Sequence, residues 1–312
     1  MARFAATCTL VSRLQPCRTR CSHDCTWRPR DDSRLYKQRL INHVRRQYAP
    51  HMTIRHGDLR LERDGDVAEI VWAAPKLNLF TPEVADAYDA VLDNLPNDVR
   101  ALIVRAEGKV FCAGVQAQQF TTMDAAAGAE FSRRLLRLIH RIERLPLPTI
   151  AVVHALNLTI GLELTLACDF IWAATEASMG LVEARVGITP AAGGPQRLVA
   201  RAGVAHATEM VITGRTYESS LLHDWGVVDK VLPEPELLAG AREFAAELAA
   251  GPTVATGIAK QIITLTRDRG VAAADAATPD LAGPVLSSED AAIGVETLLT
   301  LGPNAKPAFR GR

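Results

Sequence analysis

The sequence predicts an α/β fold with parallel strand pairing, and three observations carry that expectation. Short apolar runs of strand length alternate with stretches whose apolar residues recur at helical spacing. Two of those runs, Ala101–Arg105 and Thr149–Val153, have almost no polar face, as strands covered on both sides do. The alternation ends near Leu237, beyond which the pattern is helical only.

Taken in order, Met52 opens a strand pattern, and Leu59–Arg63 and Val67–Trp72 follow as two period-two segments joined by the turn-forming Asp64–Gly65, which predicts a hairpin. Pro75 ends the second strand. After the loop Lys76–Phe80, Thr81 followed by Pro82 and Glu83 predicts a helix start, and Val84, Tyr88, Val91, Leu92 and Leu95 supply its apolar stripe. Ala101–Arg105 is the next strand, a glycine-containing loop at Val110–Val115 follows, and a helix is expected near Ala126–Leu145. Thr149–Val153 is a buried strand, leading by a loop through Asn157 to a helix that Thr159 is placed to cap. Asp169–Ala174 and Val227–Val231 are the remaining strands. The helical tail is broken at Gly251–Pro252, and its last helix runs from Ser288 to about Leu301, stopped by Gly302–Pro303.

Composition excludes several classes. No run of about 18 apolar residues exists, so no bilayer-spanning helix is expected. The net charge of zero hides an asymmetry, because residues 1–51 hold 11 Lys and Arg against 3 Asp and Glu, leaving 24 against 32 for the rest. Residues 1–51 are read as a basic extension, disordered or wrongly joined to the chain, in preference to a targeting segment or a nucleic-acid arm. The core is expected over 52–245 and a helical region over 246–312. Cys8, Cys17, Cys21 and Cys25 lie in the head but lack paired zinc-knuckle spacing, so no metal is expected. Cys112 and Cys168, in apolar surroundings, read as buried thiols of a reducing, cytoplasmic compartment.

Three segments place a polar or flexible feature where a strand ends. In Lys109-Val-Phe-Cys-Ala-Gly-Val-Gln116, Ala113–Gly114 permits an unusual turn and close ligand approach. In Ala151-Val-Val-His-Ala-Leu-Asn-Leu-Thr-Ile-Gly-Leu-Glu163, a strand runs into a helix start whose free N–H groups favour negative charge. In the third, Glu183 precedes a turn ending at Gly193–Gly194. Singly, each has an ordinary reading: a turn, a solvated first-turn glutamate, a surface glutamate beside a loop or phosphate nest.

Together, from about Asp58 to Arg312, the segments resemble the crotonase, or enoyl-CoA hydratase/isomerase, family. The Ala-Gly loop after Lys-Val-Phe-Cys, the run Gly161–Asp169, and Glu183 with Gly187, Pro190, Ala192–Gly194 and Gln196–Leu198 carry the resemblance, with Thr213–Arg215 and Trp225–Val228 downstream. It implies a crotonase-like spiral of repeated ββα units with a C-terminal helical trimerisation region, assembled as a homotrimer or dimer of trimers. It implies an acyl-CoA thioester as substrate, coenzyme A being part of that substrate and no separate cofactor, with neither nucleic acid nor membrane as partner. By position, the backbone N–H groups of Val115 and Ile160 would form an oxyanion hole, with Glu163 and Glu183 as the catalytic pair, Glu163 chiefly activating the water and Glu183 chiefly protonating the α carbon. Leu77, Phe111, Ala113, Gly114, Gln116, Gly161 and Lys306 would border the substrate and its coenzyme A. The implied activity is hydration of a 2-enoyl-CoA, with double-bond isomerisation or acyl-CoA binding without catalysis as alternatives. One glutamate is expected to be protonated while the other is ionised.

The chain departs from the family pattern at Thr159-Ile160, where consecutive glycines are common, and the Ile160 side chain is expected to narrow the acyl pocket. Asn157 replaces a small residue, Gln116 an aspartate, and Asn304 a lysine, for which Lys306 is the expected substitute.

Overall fold

A computed structural model describes residues 52–312. The readings placed on 1–51 lie outside the described residues. The chain enters on a three-strand antiparallel meander, β1 (Met52–His56), β2 (Leu59–Asp64) and β3 (Val67–Trp72). The hairpin turn falls one residue later than the sequence suggests, at Gly65–Asp66, because Asp64 still pairs with Val67 and Gly65 supplies the positive φ (62°).

Next come α1 (Pro82–Asp93), β4 (Ala101–Ala106), α2 (Ala125–Glu143) and β5 (Thr149–Val153). Thr81 Oγ1 accepts from Val84 N (3.3 Å) and Asp124 Oδ1 from Ala127 N (2.8 Å), so each helix starts on a side-chain cap. The chain continues through β6 (Asn157–Leu158), α3 (Ile160–Leu166), β7 (Phe170–Ala174) and β8 (Ser178–Gly180). Then follow α4 (Gly194–Thr213), bent at Gly203, β9 (Tyr217–Glu218), α5 (Ser219–Asp224) and β10 (Lys230–Leu232). The expected strand at Val227–Val231 is thus displaced: Val227 and Val228 are buried in a turn where both N–H groups donate to the Leu222 carbonyl.

The main sheet has the order β1-β2-β3-β4-β5-β7-β10, parallel from β3 onward. A second sheet, β6-β8-β9, is lengthened by two isolated parallel bridges, Phe80 with Val115 and Cys112 with Asn157. These short pairings follow β3, β4, β5 and β7 in turn, so each unit contributes a long strand and a short second one. The loop expected through Asn157 is one of those short strands. Between the sheets and α1, Trp72 packs edge-on against Phe80 and Tyr88, with ring centroids 6.1 and 6.0 Å apart.

Beyond β10 the described chain is helical: α6 (Glu234–Ala249), α7 (Thr253–Arg269), α8 (Val271–Ala282) and α9 (Glu289–Leu301). The core limit expected at 245 falls inside α6. That helix is fastened to the main sheet, Phe244 stacking on Trp172 (5.1 Å, 16°) and Arg242 pairing with the buried Glu69 (2.6 Å). No described helix is long and apolar enough to cross a membrane.

Candidate active site

The site is assembled by the short second strands. After β4, the N–H groups of Phe111 and Cys112 donate to the Leu156 carbonyl (2.9 and 3.2 Å), which holds this loop against the one that follows β5. Ala113 N donates to Leu77 O (3.1 Å), Phe80 N to Gly114 O (2.9 Å) and Gln116 N to Phe80 O (3.0 Å). This pairing uses the Gly114 carbonyl and the Gln116 N–H, on either side of Val115, and leaves the Val115 N–H outside the ladder. Gly114 lies at φ 106°, a conformation that favours glycine.

Sequence reasoning missed Asn78, which stitches this region together. It is buried, lies at φ 48°, accepts from Ala74 N (2.8 Å), and donates to Glu107 O and Val110 O (2.8 and 2.9 Å). The loop carrying Leu77, itself 43% exposed, is thereby locked to the one carrying Ala113. The only sequence signal was an asparagine, tolerant of the left-handed region, inside a turn between Pro75 and Thr81–Pro82.

After β5, Leu158 N donates to Cys112 O (2.9 Å) and Thr159 N to Gly180 O (3.0 Å), bringing the second segment alongside the first. Thr159 has φ 52° and ψ −123°, and its side chain makes no cap bond, contrary to the capping expectation. Its Oγ1 is instead buried against Gly114 without a partner among the described residues. Ile160 begins α3, so its N–H is one of those with no acceptor inside the helix. The structure therefore places the Val115 and Ile160 amides on neighbouring segments.

Two glutamates complete the arrangement. Glu163, on α3 and 2% exposed, accepts at Oε1 from Ala192 N and Gly194 N, both at 2.9 Å. Glu183, 7% exposed, begins a 3-10 turn (Glu183–Val186), and its Oε2 is buried with no partner among the described residues. Burial pushes the Glu163 carboxyl up from 4.5 to about 7 against the pull of its two amide donors and the Arg197 charge. Burial likewise pushes Glu183 up to about 7, its own backbone N–H opposing and the Glu163 charge adding to the rise. Both carboxyls are raised, and two such groups titrate as a pair.

Other expected site residues lie elsewhere or serve differently. The Phe111 ring is fully buried in the core, so its part in the loop is structural and its backbone, not its side chain, borders the site. Gly161 is also buried, and a Cβ there would run into Asn157 and Cys112, so close packing accounts for this glycine. The Ile160 side chain, 1% exposed, belongs to the hydrophobic core. Ala113 and Gln116 remain partly exposed beside Gly114. Within the chain Lys306 is exposed and not brought to Leu77, because the tail after it is tied to Asp290 and, through Phe309 O, to Arg100, which precedes β4 while the site follows its far end.

The family model described as enoyl-CoA hydratase/isomerase matches residues 62–298. The chain belongs to the enoyl-CoA hydratase/isomerase family. It is 34% identical over 214 residues to an enoyl-CoA isomerase/hydratase of Mycosarcoma maydis, covering 68% of this chain and 77% of that protein. It is 30% identical over 234 residues to a short-chain-enoyl-CoA hydratase of Clostridium acetobutylicum, covering 74% and 90%. Its fold is that of solved enoyl-CoA hydratase structures: one from Geobacillus kaustophilus superposes with a TM-score of 0.80 at 26% identity, over 84% of this chain and all of that one. Another from Bacillus anthracis gives 0.76 at 26% identity, over 82% and 100%. In this member of the family, then, the expected α/β spiral is present, and Glu163, Glu183 and the segments bearing Val115 and Ile160 follow the parallel strands of its sheet.

Proposed function

We propose that the chain is an enoyl-CoA hydratase that adds water across a conjugated 2-enoyl-CoA thioester. The observation that carries this reading is the retention of two buried carboxyls, each with a pKa of about 7, beside the two loops that bear Val115 and Ile160. Hydration needs a base for the water, an acid for the α carbon, and a sink for enolate charge.

The environments of the two carboxyls divide the work. Glu163 receives two N–H donors and is the better carboxylate, so it takes a proton from water as the oxygen bonds to the β carbon. The electron pair displaced from the double bond moves onto the thioester oxygen, where the Val115 and Ile160 amides meet it. Glu183, with no donor on Oε2, is the better acid and protonates the α carbon. Near neutral pH a coupled pair of this kind is mainly singly protonated, as that division requires. Leu77, Ala113, Gly114 and Gln116 border the coenzyme A side. Self-association as a trimer or dimer of trimers is supported by the exposed apolar side chains of α9, Val295, Leu298, Leu299 and Leu301, and in such an assembly Lys306 would serve another copy's coenzyme A. The cytoplasmic assignment rests on Cys112 and Cys168, both free and buried.

A panel of enoyl-CoA thioesters of varied length and branching tests the reading through loss of the conjugated ultraviolet band, with products separated. A 3-hydroxyacyl-CoA product supports hydration. A shifted double bond without added water would establish isomerisation instead, and binding with no turnover would establish a non-catalytic acyl-CoA binder.

A further inference from the structure

The two amides that hold Glu163 belong to peptide groups whose carbonyls are themselves held. In the peptide joining Ala191 to Ala192, the N–H donates to Glu163 Oε1 and the carbonyl accepts from Ser132 Oγ at 2.7 Å. In the peptide joining Gly193 to Gly194, the N–H again donates to Glu163 Oε1 and the carbonyl accepts from Arg197 Nη1 at 3.2 Å. The alternation leaves neither peptide free to rotate without breaking bonds at both ends. A donor on a carbonyl also polarises its peptide and strengthens the N–H opposite, more so when the donor is a cation.

The Arg197 guanidinium is fixed in turn. It is buried and forms a two-pronged pair with buried Glu143 of α2, at 3.0 and 2.6 Å, while Arg267 of α7 reaches the same carboxylate at 2.7 Å. A Cβ on Gly193 would collide with the guanidinium, and Gly193 lies at φ 94°, so residue and loop fit only in this arrangement.

We infer that Arg197 and Ser132 are positioning residues for Glu163, acting through the carbonyl ends of the two peptide groups whose N–H ends grip its carboxylate. This rests on the hydratase reading for its consequence in catalysis, but its geometry does not depend on it. The charged and titratable groups around the relay are Glu183 facing Glu163, and His140, Glu143, Arg267 and Asp268 around Arg197. Both Arg197 and the amides lower the Glu163 carboxyl pKa, so loosening the relay raises it.

The experiment is a pH titration of Glu163 by carbon-13 NMR of protein labelled at glutamate carboxyls, the Glu163 signal being assigned from its loss in Glu163→Gln. Arg197→Met is made together with Glu143→Gln so that no lone carboxylate stays buried. Its Glu163 midpoint should rise by about one pH unit, Arg197→Lys should rise less, and Ser132→Ala should rise by a smaller amount in the same direction. The acid limb of kcat/KM for crotonyl-CoA should move up with the midpoint. Ser132 is partly exposed, so Ser132→Ala carries the test if the double variant does not fold. A Glu163 midpoint that stays at its wild-type value in a folded variant overturns the inference. A midpoint that moves in a protein unable to hydrate any enoyl thioester would leave the relay standing and sink the hydratase reading alone.

Discussion

Gly114 and Thr159 occupy each other's space: a Cβ built on Gly114 lies 2.8 Å from Thr159 Oγ1. Thr159 is β-branched at φ 52° with a buried hydroxyl that has no partner among the described residues, a combination that costs about 1–3 kcal/mol in backbone strain alone. Glycine would lose about 0.5–1 kcal/mol in chain entropy. Thr159→Gly should therefore raise stability by about 1 kcal/mol, read as a higher denaturant midpoint at unchanged slope. Gly114→Ala should destabilise, and less so when Thr159 is already glycine, with a coupling above about 0.5 kcal/mol. Additive effects would show that the two do not compete.

Glu163→Gln and Glu183→Gln should each fold and bind coenzyme A esters while losing hydration by at least about a hundredfold. The proposed mechanism has the pair work on one water and one enolate, so the double variant should be little slower than either single one. Near wild-type turnover in either variant would refute the division of roles.

Stability should fall as pH rises. Folded Glu163 and Glu183 keep their protons up to about 7, whereas in the unfolded chain these are lost near 4.5. Between those values the folded state binds more protons, so the unfolding free energy declines with pH and levels off above about 7. Glu163→Gln keeps an acceptor for both amides without the charge. It should melt above wild type at about pH 8.5 and close to it at about pH 4.5. Equal differences at both values would place the burial cost elsewhere.

Ile160→Ala should act on stability and not on acyl preference. The side chain is in the core, so truncation should cost about 2–5 kcal/mol. Ile160→Pro offers no clean removal of the amide, because the residue before proline prefers extended backbone and Thr159 is at φ 52°. A broadened chain-length profile in folded Ile160→Ala would return its side chain to the pocket wall.

The long strands and capped helices were legible in the sequence because each is set by local rules: Thr149–Val153 by its apolar run, α1 by Thr81 and Pro82, α9 by Ser288, whose Oγ accepts from Ala291 N at 3.1 Å. The short strands were not. Asn157–Leu158 and Tyr217–Glu218 are two residues each, too short for periodicity, and exist because neighbouring loops offer them partners. At the site, Glu163 and Glu183 were recognisable through their surrounding motifs. The hands that hold Glu163, Ser132 and Arg197, sit 31 residues before it and 34 after it, on two different helices, where no local pattern links them. Val227 and Val228 mislead for a related reason, since burial in a turn produces the same apolar signature as burial in a strand.

The anchoring of α6 dictates where this polypeptide can be cut. A fragment ending at residue 245 would retain Arg242 and Phe244 but sever the last turn of the helix that presents them to Glu69 and Trp172, leaving a buried carboxylate and an indole face covered by fraying chain. Past Ala249 the chain stays tied to the same body: Arg100 donates to Gly251 O and Thr253 Oγ1, and in α7 Lys260 pairs with Asp169 (2.7 Å) and Arg267 with the buried Glu143 (2.7 Å). A cut at either place would strip carboxylates of their cationic partners, so activity lost on truncation would report a broken body before it reported anything about the reaction.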